Sequence, residues 1–276
     1  MAGPGTPPES GRPPGGGRYG ERVFRPEQGG EGDRIDLGAL AYDDTTMARL
    51  RSLGAGPGWT CLDIGAGTGT VARRLLGEAG VTEVLAVDRD TRFLAERPVR
   101  GLTLLAADIT SDDFAPGRLF HLVHARFVLM HLPDPEQTVT RLSRLLAPGG
   151  VLVVSDAVDL TTDSAPETPY TRAMRAMWQG LRATIGTDVT RVPERHELLR
   201  AAGLEPVAAE IYVPPLTAGS AISRFWADTW DRAREAMTGT GLVDDGRIEE
   251  ARRYLDSPQC TGLSPGMLTA WGWKQP

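Results

Sequence analysis

Residues 59–70 read WTCLDIGAGTGT. An apolar run ends just after the acidic Asp63, and glycines follow at every second position, at Gly65, Gly67 and Gly69. Glycines at the end of a buried strand let the backbone turn tightly and approach a ligand closely. The stretch therefore predicts a buried strand, a ligand-binding turn and a helix in direct succession.

Short apolar segments alternate with amphipathic ones after this turn. This alternation is typical of a parallel sheet with helices on both faces, so we predict an α/β, doubly wound, Rossmann-like sheet of about seven strands. Strands are expected at 59–64, 83–88, 102–108, 120–124, 151–155, 207–213 and 267–273, with Pro148-Gly149-Gly150 as a break before the fifth. Helices are expected at 33–53, 70–78, 90–97, 135–146, 168–185, 194–202, 221–237 and 245–255.

Composition divides the chain into three parts. Residues 1–20 contain 12 Gly or Pro and are predicted to form a disordered tail, because they bury too little apolar surface to offset their ordering entropy. Residues 21–54 are predicted to be an N-terminal helical cap that ends at a glycine. The main domain is expected at 55–276, with a helical lid near 160–202 and 216–256.

Charge and cysteine content exclude several classes of protein. The net charge of −6 argues against a nucleic-acid-binding protein, which concentrates basic residues on one face. Cys61 and Cys260 lie far apart, so we predict neither a disulfide framework nor a metal site, and a reducing cytoplasm is expected. No apolar run approaches the roughly 20 residues that cross a bilayer. We expect a cytoplasmic protein with a small-molecule partner, no nucleic acid and no membrane contact, and we leave a homodimer open.

Three acids at strand ends indicate the ligand. A dinucleotide site has the spacing G-x-G-x-x-G, whereas here Asp63 precedes alternating glycines. Asp63 would repel a pyrophosphate and favour a ligand with an ammonium and a sulfonium, which is the charge pattern of S-adenosylmethionine. Asp88, 23 residues after Gly65, is placed to accept ribose hydroxyls. Asp108 and Ile109 follow the third strand, near the expected adenine position.

The segment 59–156 resembles the class I methyltransferase family, in its small-molecule branch. LDIGAGTG at 62–69, AVD at 86–88 and ADI at 107–109 resemble its first three motifs. FHLVHARFVLMHL at 120–132 resembles the passage from the fourth strand into the cleft, and LAPGGVL at 146–152 the turn into the fifth. The longer pattern, from GPGWTCLDIGAGTG to HARFVLMHLPDP, is similar to methyltransferases common in actinobacterial biosynthetic pathways.

The resemblance implies S-adenosylmethionine as cofactor and methyl transfer to a small, apolar or aromatic natural-product acceptor at oxygen, nitrogen or carbon. Arg34 belongs to the cap and is a candidate partner of the methionine carboxylate, and Arg126 either reaches the cleft or pairs with a surface acid. The residues expected to bind the cofactor are Arg34, Asp63, Gly65, Ala66, Gly67, Gly69, Asp88, Arg89, Asp108, Ile109 and Arg126.

Catalysis and acceptor binding are less visible in the sequence. Methyl transfer from a sulfonium is an in-line displacement that depends mainly on alignment, so no catalytic triad is expected. His131 is the first candidate for a catalytic residue, and a packing histidine is the alternative. A stripe of Met and Trp on the helix at 168–185 is a candidate acceptor wall or simply core. The predicted acceptor pocket consists of Tyr19, Phe127, Met174, Trp178 and Trp226.

Other functions stay open on the sequence alone. An enzyme with the same fold and cofactor can catalyse a rearrangement or cyclisation without methylation. An NAD-dependent oxidoreductase is opposed by the glycine spacing, and a non-enzymatic binding module is the remaining alternative.

Overall fold

The computed structural model describes residues 17–276. Of the predicted tail, residues 1–16 therefore lie outside the described part of the chain. From Arg18 onward the chain contacts the folded domain, because Arg18 pairs with Asp108 and Tyr19 is hydrogen-bonded to Arg34. The cap thus begins a few residues before the expected boundary at residue 20.

A seven-stranded sheet forms the centre of the protein. The nine strands within residues 17–276 are β1 Thr60–Ile64, β2 Glu83–Asp88, β3 Leu102–Ala106, β4 Phe120–Arg126, β5 Leu146–Val158, β6 Val207–Tyr212, β7 Pro215–Thr217, β8 Thr261–Leu263 and β9 Gly266–Trp273. The order in the sheet is β3-β2-β1-β4-β5-β9-β6, while β7 and β8 form a separate pair. The first five strands in the chain are parallel, and β9 runs antiparallel to both of its neighbours. This arrangement confirms the predicted α/β fold class.

The helices lie close to their predicted positions. They are α1 Glu31–Ser52, α2 Thr70–Arg74, α3 Arg92–Ala95, α4 Pro135–Arg144, α5 Pro169–Ile185, α6 Arg195–Ala201, α7 Ala221–Thr238 and α8 Asp245–Asp256. α3 is much shorter than expected, and the helix predicted at 70–78 is α2 followed by one π-helical turn, Leu75–Ala79. None of the helices within residues 17–276 has both the length and the apolar character of a membrane span.

The segment Pro148-Gly149-Gly150 does not break the fifth strand. β5 begins at Leu146 and continues through it, with a shift of register against β4 between Phe120 and Leu122. The glycines allow this bulge: Gly149 has φ 72°, and a Cβ at Gly150 would lie 2.9 Å from the carbonyl oxygens of Ala147 and Phe120.

Helices α5, α7 and α8, which we call the lid, pack on one another around a shared apolar cluster, and α1 packs along α7. α6 lies outside this group. Leu198 and Leu199 of α6 belong to the core of the sheet, and α6 contacts β9, β6 and α4. Within the region 160–202, where a lid is expected, α5 therefore packs with α7 and α8, whereas the apolar face of α6 covers the sheet.

Candidate functional site

A cavity of about 520 Å³ lies at the carboxyl ends of β1, β2 and β4, beneath α5 and α7. Ligands of open α/β sheets bind at this edge. Its sheet half is formed by the glycine turn and the segments that follow β2, β3 and β4. Its lid half is lined by Tyr42 of α1 and by the lid residues Met177, Trp178, Leu181, Phe225 and Trp226. One continuous space therefore joins the two halves.

The glycine turn forms the floor of the sheet half. Gly65, Gly67 and Gly69 all have positive φ, at 63°, 56° and 78°, and a Cβ at Gly65 would lie 2.3 Å from Val128 Cγ2. Gly65, Ala66 and Gly67 line the cavity, as expected of ligand-binding residues. Gly69 does not. It caps α2, and its missing side chain leaves room for Leu94, whose Cδ2 would be 2.5 Å from a Cβ there.

Asp88 stands at the end of β2 beside the turn. Its Oδ2 accepts from the Gly67 N–H at 2.9 Å, and its Oδ1 accepts from the Asp90 N–H at 3.2 Å. Burial raises the pKa of Asp88 above its ordinary value, while these backbone N–H groups and Arg89 oppose the rise. A carboxylate in this position is ready to accept hydrogen bonds from ligand hydroxyls.

The surroundings of Asp63 differ from expectation, because a histidine side chain contacts its carboxylate. His124 of β4 lies directly opposite Asp63 in the strand register, and its Nδ1 is 2.8 Å from Asp63 Oδ1. Both side chains are buried and both line the cavity. A ligand in the cavity that contacts the Asp63 carboxylate therefore shares it with His124. The sequence offered no signal for this pair, since it depends on strand register.

Asp108 and Ile109 lie at the outer wall of the sheet half. Asp108 Oδ1 accepts from the backbone N–H and hydroxyl of Thr110, at 2.8 and 2.6 Å, and Oδ2 pairs with Arg18. Although burial raises the pKa of Asp108, these contacts together hold it below its ordinary value. Arg89 also lines the wall, and its guanidinium donates to the Tyr19 carbonyl oxygen.

Arg34 lines the cavity but is already paired. Its Nε donates to Glu31 Oε2 at 2.9 Å and its Nη2 to the Tyr19 hydroxyl at 2.9 Å. Arg232 of α7 places its Nε 2.7 Å from the same Glu31 oxygen. The charge expected to meet a ligand carboxylate is thus largely balanced by Glu31. Neither Glu31 nor Arg232 was predicted from the sequence, because their ion pair joins α1 to α7, which are far apart in the chain.

Arg126 was expected either to reach the cleft or to pair with a surface acid. In the structure it forms an ion pair, but its partner acid is buried. Its Nη2 donates to Asp43 Oδ1 at 2.6 Å and its Nη1 to Thr46 Oγ1 at 3.0 Å, both on α1. Asp43 is buried. Arg126 also lines the cavity, where it holds α1 against the end of β4.

His131 lies where the sheet and lid halves meet. It ends a short 3₁₀ turn, Leu129–His131, after β4. Its Nδ1 is 2.8 Å from Thr187 Oγ1, and its ring centre is 4.6 Å from that of Tyr19. Burial lowers the pKa of His131 to about 3, and the charges of Arg34 and Arg89 add to the effect. The ring is therefore neutral at physiological pH and lines the cavity.

The lid half presents apolar ring faces. Three aromatic residues have their polar atoms engaged elsewhere: Trp178 Nε1 donates to Asp159 at 2.8 Å, and Trp226 Nε1 to Ser264 at 2.8 Å. The Tyr42 hydroxyl donates to the Pro265 carbonyl oxygen at 2.9 Å. The rings consequently offer the cavity their hydrocarbon surfaces.

One predicted pocket residue is absent from the cavity wall. Met174 is completely buried in the core of the lid, whereas Met177, Trp178 and Leu181 line the cavity. The helical stripe therefore serves both as core and as wall, because neighbouring positions on α5 face different partners. Phe127, Tyr19 and Trp226, which were also predicted for the acceptor pocket, line the cavity.

Comparison with known proteins gives consistent matches. Residues 35–209, more than half of the chain, match the family model described as a methyltransferase domain. The chain is 37% identical over 97 residues to Methyltransferase str3 of Strobilurus tenacellus, and the alignment covers 34% of each protein. It is 26% identical over 234 residues to 27-O-demethylrifamycin SV methyltransferase of Amycolatopsis mediterranei, covering 81% of this chain and 77% of that one. The chain thus spans only a third of the first relative.

Solved structures share the fold at low identity. Phosphoethanolamine N-methyltransferase 2 of Haemonchus contortus, in complex with phosphomonomethylethanolamine and S-adenosylhomocysteine, has a TM-score of 0.57 at 16% identity. The match covers 92% of this chain and 60% of that one. The [4+2]-cyclase SpnF has a TM-score of 0.53 at 17% identity, with 86% and 82% covered. At these identities the likeness concerns the fold alone.

Proposed function

The chain belongs to the methyltransferase-domain family, and from this membership we propose that it methylates a small, apolar or aromatic acceptor of a biosynthetic pathway. The activity we propose is S-adenosylmethionine-dependent methylation. The observation that carries the proposed acceptor class is the single cavity in which a glycine turn and strand-end acids face an aromatic wall.

The residues of the sheet half fit the cofactor. The turn at Gly65 has no space for a side chain, so its backbone can lie against a ligand, and Asp88 offers an acceptor for ribose hydroxyls. Asp108 and Ile109 would hold the adenine, and Asp63 adds a negative charge towards the methionine ammonium. Bound in this half, the cofactor supplies an electrophilic methyl group on its sulfonium.

The lid half supports an apolar acceptor. Because the polar atoms of Trp178, Trp226 and Tyr42 are already hydrogen-bonded, a ligand group placed against these rings gains no hydrogen bond from those atoms. A polar face there would lose its hydration without replacement, whereas a flat hydrocarbon face gains contact area. Hydrogen-bonding groups of the wall gather instead around Tyr19 and His131.

The contribution of the protein to catalysis is alignment. The aromatic wall holds the acceptor body, and His131 lies at the junction where the acceptor atom must meet the methyl group. Cap residues Tyr19 and Arg34 close the same junction from the side of α1, which helps to exclude water from the reaction. We propose His131 as the catalytic residue that touches the acceptor.

Two measurements test this function. Isothermal titration with S-adenosylhomocysteine should give one site per chain, and the absence of binding to pure, folded protein would refute the cofactor assignment. Incubation of candidate aromatic metabolites with methyl-deuterated S-adenosylmethionine should give products carrying the labelled methyl group. An unlabelled product of unchanged mass would instead indicate a rearrangement or cyclisation.

A further inference from the structure

His131 is held by Thr187, a residue that the sequence did not single out. α5 ends at Ile185, and Gly186 adopts φ 72°, which turns the chain back towards the sheet. Thr187 then places Oγ1 2.8 Å from His131 Nδ1, and the next N–H, of Asp188, donates to the Met130 carbonyl oxygen at 2.8 Å. The loop after the acceptor-wall helix thus anchors both the ring and the backbone of the turn that carries His131.

The burial of Thr187 determines the direction of this hydrogen bond. Thr187 is only 2% exposed, and within residues 17–276 the sole hydrogen bond of its hydroxyl is the one to His131. A buried hydroxyl proton without an acceptor loses its hydration and gains nothing in return. The proton therefore points at Nδ1, which must accept it. The neutral imidazole then carries its own proton on Nε2.

The Tyr19 hydroxyl is constrained in a similar way by Arg34. Arg34 can only donate hydrogen bonds, so the Tyr19 oxygen accepts from Arg34 and its own O–H remains available. No other residue in the described range 17–276 forms a hydrogen bond with that hydroxyl or with His131 Nε2. Both side chains line the cavity, with ring centres 4.6 Å apart. Two neighbouring rings at the junction of the halves therefore each carry one available hydrogen-bond donor.

The charges behind these donors favour an anion. Glu31 contributes one negative charge to the buried cluster, and Arg34 and Arg232 contribute two positive charges. Besides burial, the effect of the Arg34 charge on the pKa of Tyr19 is larger than that of either Glu31 or Asp88, and at His131 the charges of Arg34 and Arg89 act together. An ammonium group would therefore be repelled beside these two rings and an anionic oxygen attracted.

We propose that Tyr19 O–H and His131 Nε2–H together bind an anionic oxygen of the acceptor, a phenolate, enolate or carboxylate, and that Thr187 is the positioning residue that fixes the His131 tautomer. This inference rests on the proposed function and specifies its acceptor class. The acceptor enters as its anion, having left its proton in water, so methyl transfer needs no protein base. His131 is a hydrogen-bond donor in this arrangement.

The tautomer is tested by nitrogen-15 NMR of the histidine side chains, with His131 assigned by its loss in His131→Gln. Wild type and Thr187→Ser should show His131 protonated at Nε2 and bare at Nδ1. Thr187→Val, which keeps the shape and removes the hydroxyl, should give a mixture of tautomers. A wild-type ring protonated at Nδ1 would overturn the proposal, and Thr187→Ser keeps the test valid if Thr187→Val folds poorly.

The anion preference is tested with 4-nitrophenolate as a probe and 4-nitroaniline as its neutral match, both titrated into protein saturated with S-adenosylhomocysteine. Wild type should bind the phenolate more tightly than the aniline. Tyr19→Phe should weaken phenolate binding roughly ten- to a hundredfold, the usual effect of losing a hydrogen bond to a charged group. His131→Gln keeps an N–H near the Nε2 position and should retain most of the binding, whereas His131→Asn should not. Equal affinity for the two probes would overturn the proposal.

The methionine carboxylate of the cofactor offers the same chemistry, so affinity for S-adenosylhomocysteine is measured in every variant. Unchanged affinity in Tyr19→Phe and His131→Asn supports an anionic oxygen on the acceptor. A parallel loss in both variants would assign the donors to the cofactor and overturn the acceptor assignment. Failure of wild type to bind S-adenosylhomocysteine would refute the proposed function instead.

Discussion

Gly180 lies where α5 packs against α7, and the substitution Gly180→Ala tests whether these helices are in closest contact there. A Cβ at Gly180 would be 2.4 Å from the Ala236 carbonyl oxygen and 2.7 Å from its carbonyl carbon, whereas ordinary contacts begin at 3.4 Å. The obstructing atoms belong to the backbone, so no side-chain rotation relieves the overlap. One helix must move by about 1 Å.

We expect Gly180→Ala to lower the free energy of unfolding by about 1–3 kcal/mol, the usual cost of overpacking a core. The gain in helix propensity, up to about 1 kcal/mol, offsets only part of it. Since both helices line the lid half, acceptor-probe binding should weaken while affinity for S-adenosylhomocysteine stays unchanged.

Gly77→Ala is the matched control. Gly77 is exposed in the π-helical turn, and a Cβ there would have no neighbouring atom within 4 Å, so alanine should be neutral or stabilising by about 0.5–1 kcal/mol. Urea unfolding of both variants and wild type gives the free energies, with an unchanged m-value as the check on the unfolded reference. A Gly180→Ala protein as stable as Gly77→Ala would refute the close-contact argument.

Three further predictions concern the site. Asp88→Asn keeps an acceptor for the Gly67 N–H but removes the charge, so affinity for S-adenosylhomocysteine should fall roughly tenfold by titration; unchanged affinity would remove Asp88 from the cofactor site. Trp178→Leu should raise the KM for the acceptor far more than that for the cofactor, and equal changes would place Trp178 outside the acceptor pocket. With the pKa of His131 at about 3 in the folded protein and 6.5 when unfolded, the unfolded chain binds a proton that the native chain does not. The free energy of unfolding should therefore decrease as pH falls below 6.5, and the decrease should be steeper in wild type than in His131→Gln by up to about 1.4 kcal/mol per pH unit. The same pH dependence of the free energy of unfolding in both proteins, measured by urea unfolding, would contradict this.

Much of the fold was predictable because its signals are local. Alternating apolar and amphipathic segments indicated the parallel strands, and the glycine turn indicated the edge of the sheet at which the cavity lies. The errors came from long-range packing. β5 continues through Pro148-Gly149-Gly150 because pairing with β4 tolerates a bulge, and α6 covers the sheet because its apolar residues meet the sheet core. Neither outcome can be predicted from the sequence of the segment alone.

The residues of the sheet half were predictable for the same reason, since a strand, its turn and the next helix are continuous in the chain. The partners of the charged groups were not. Asp63 meets His124 through strand register, and Glu31 bridges Arg34 to Arg232 across two helices that are far apart in sequence. An ion pair of this kind requires two segments to be brought together, and no spacing along the chain encodes it.

The sequence by itself determined the proposed cofactor side of this protein: the Asp63-to-Gly69 turn and the acids that end the neighbouring strands. Only the tertiary structure decided the proposed acceptor side. In the folded protein Met174 lies in the core, Trp178 faces the cavity, and Thr187 contacts His131. The physical reason is that backbone turns depend on neighbouring residues, whereas the direction of a side chain and the protonation of a ring depend on what packs against them from elsewhere in the chain.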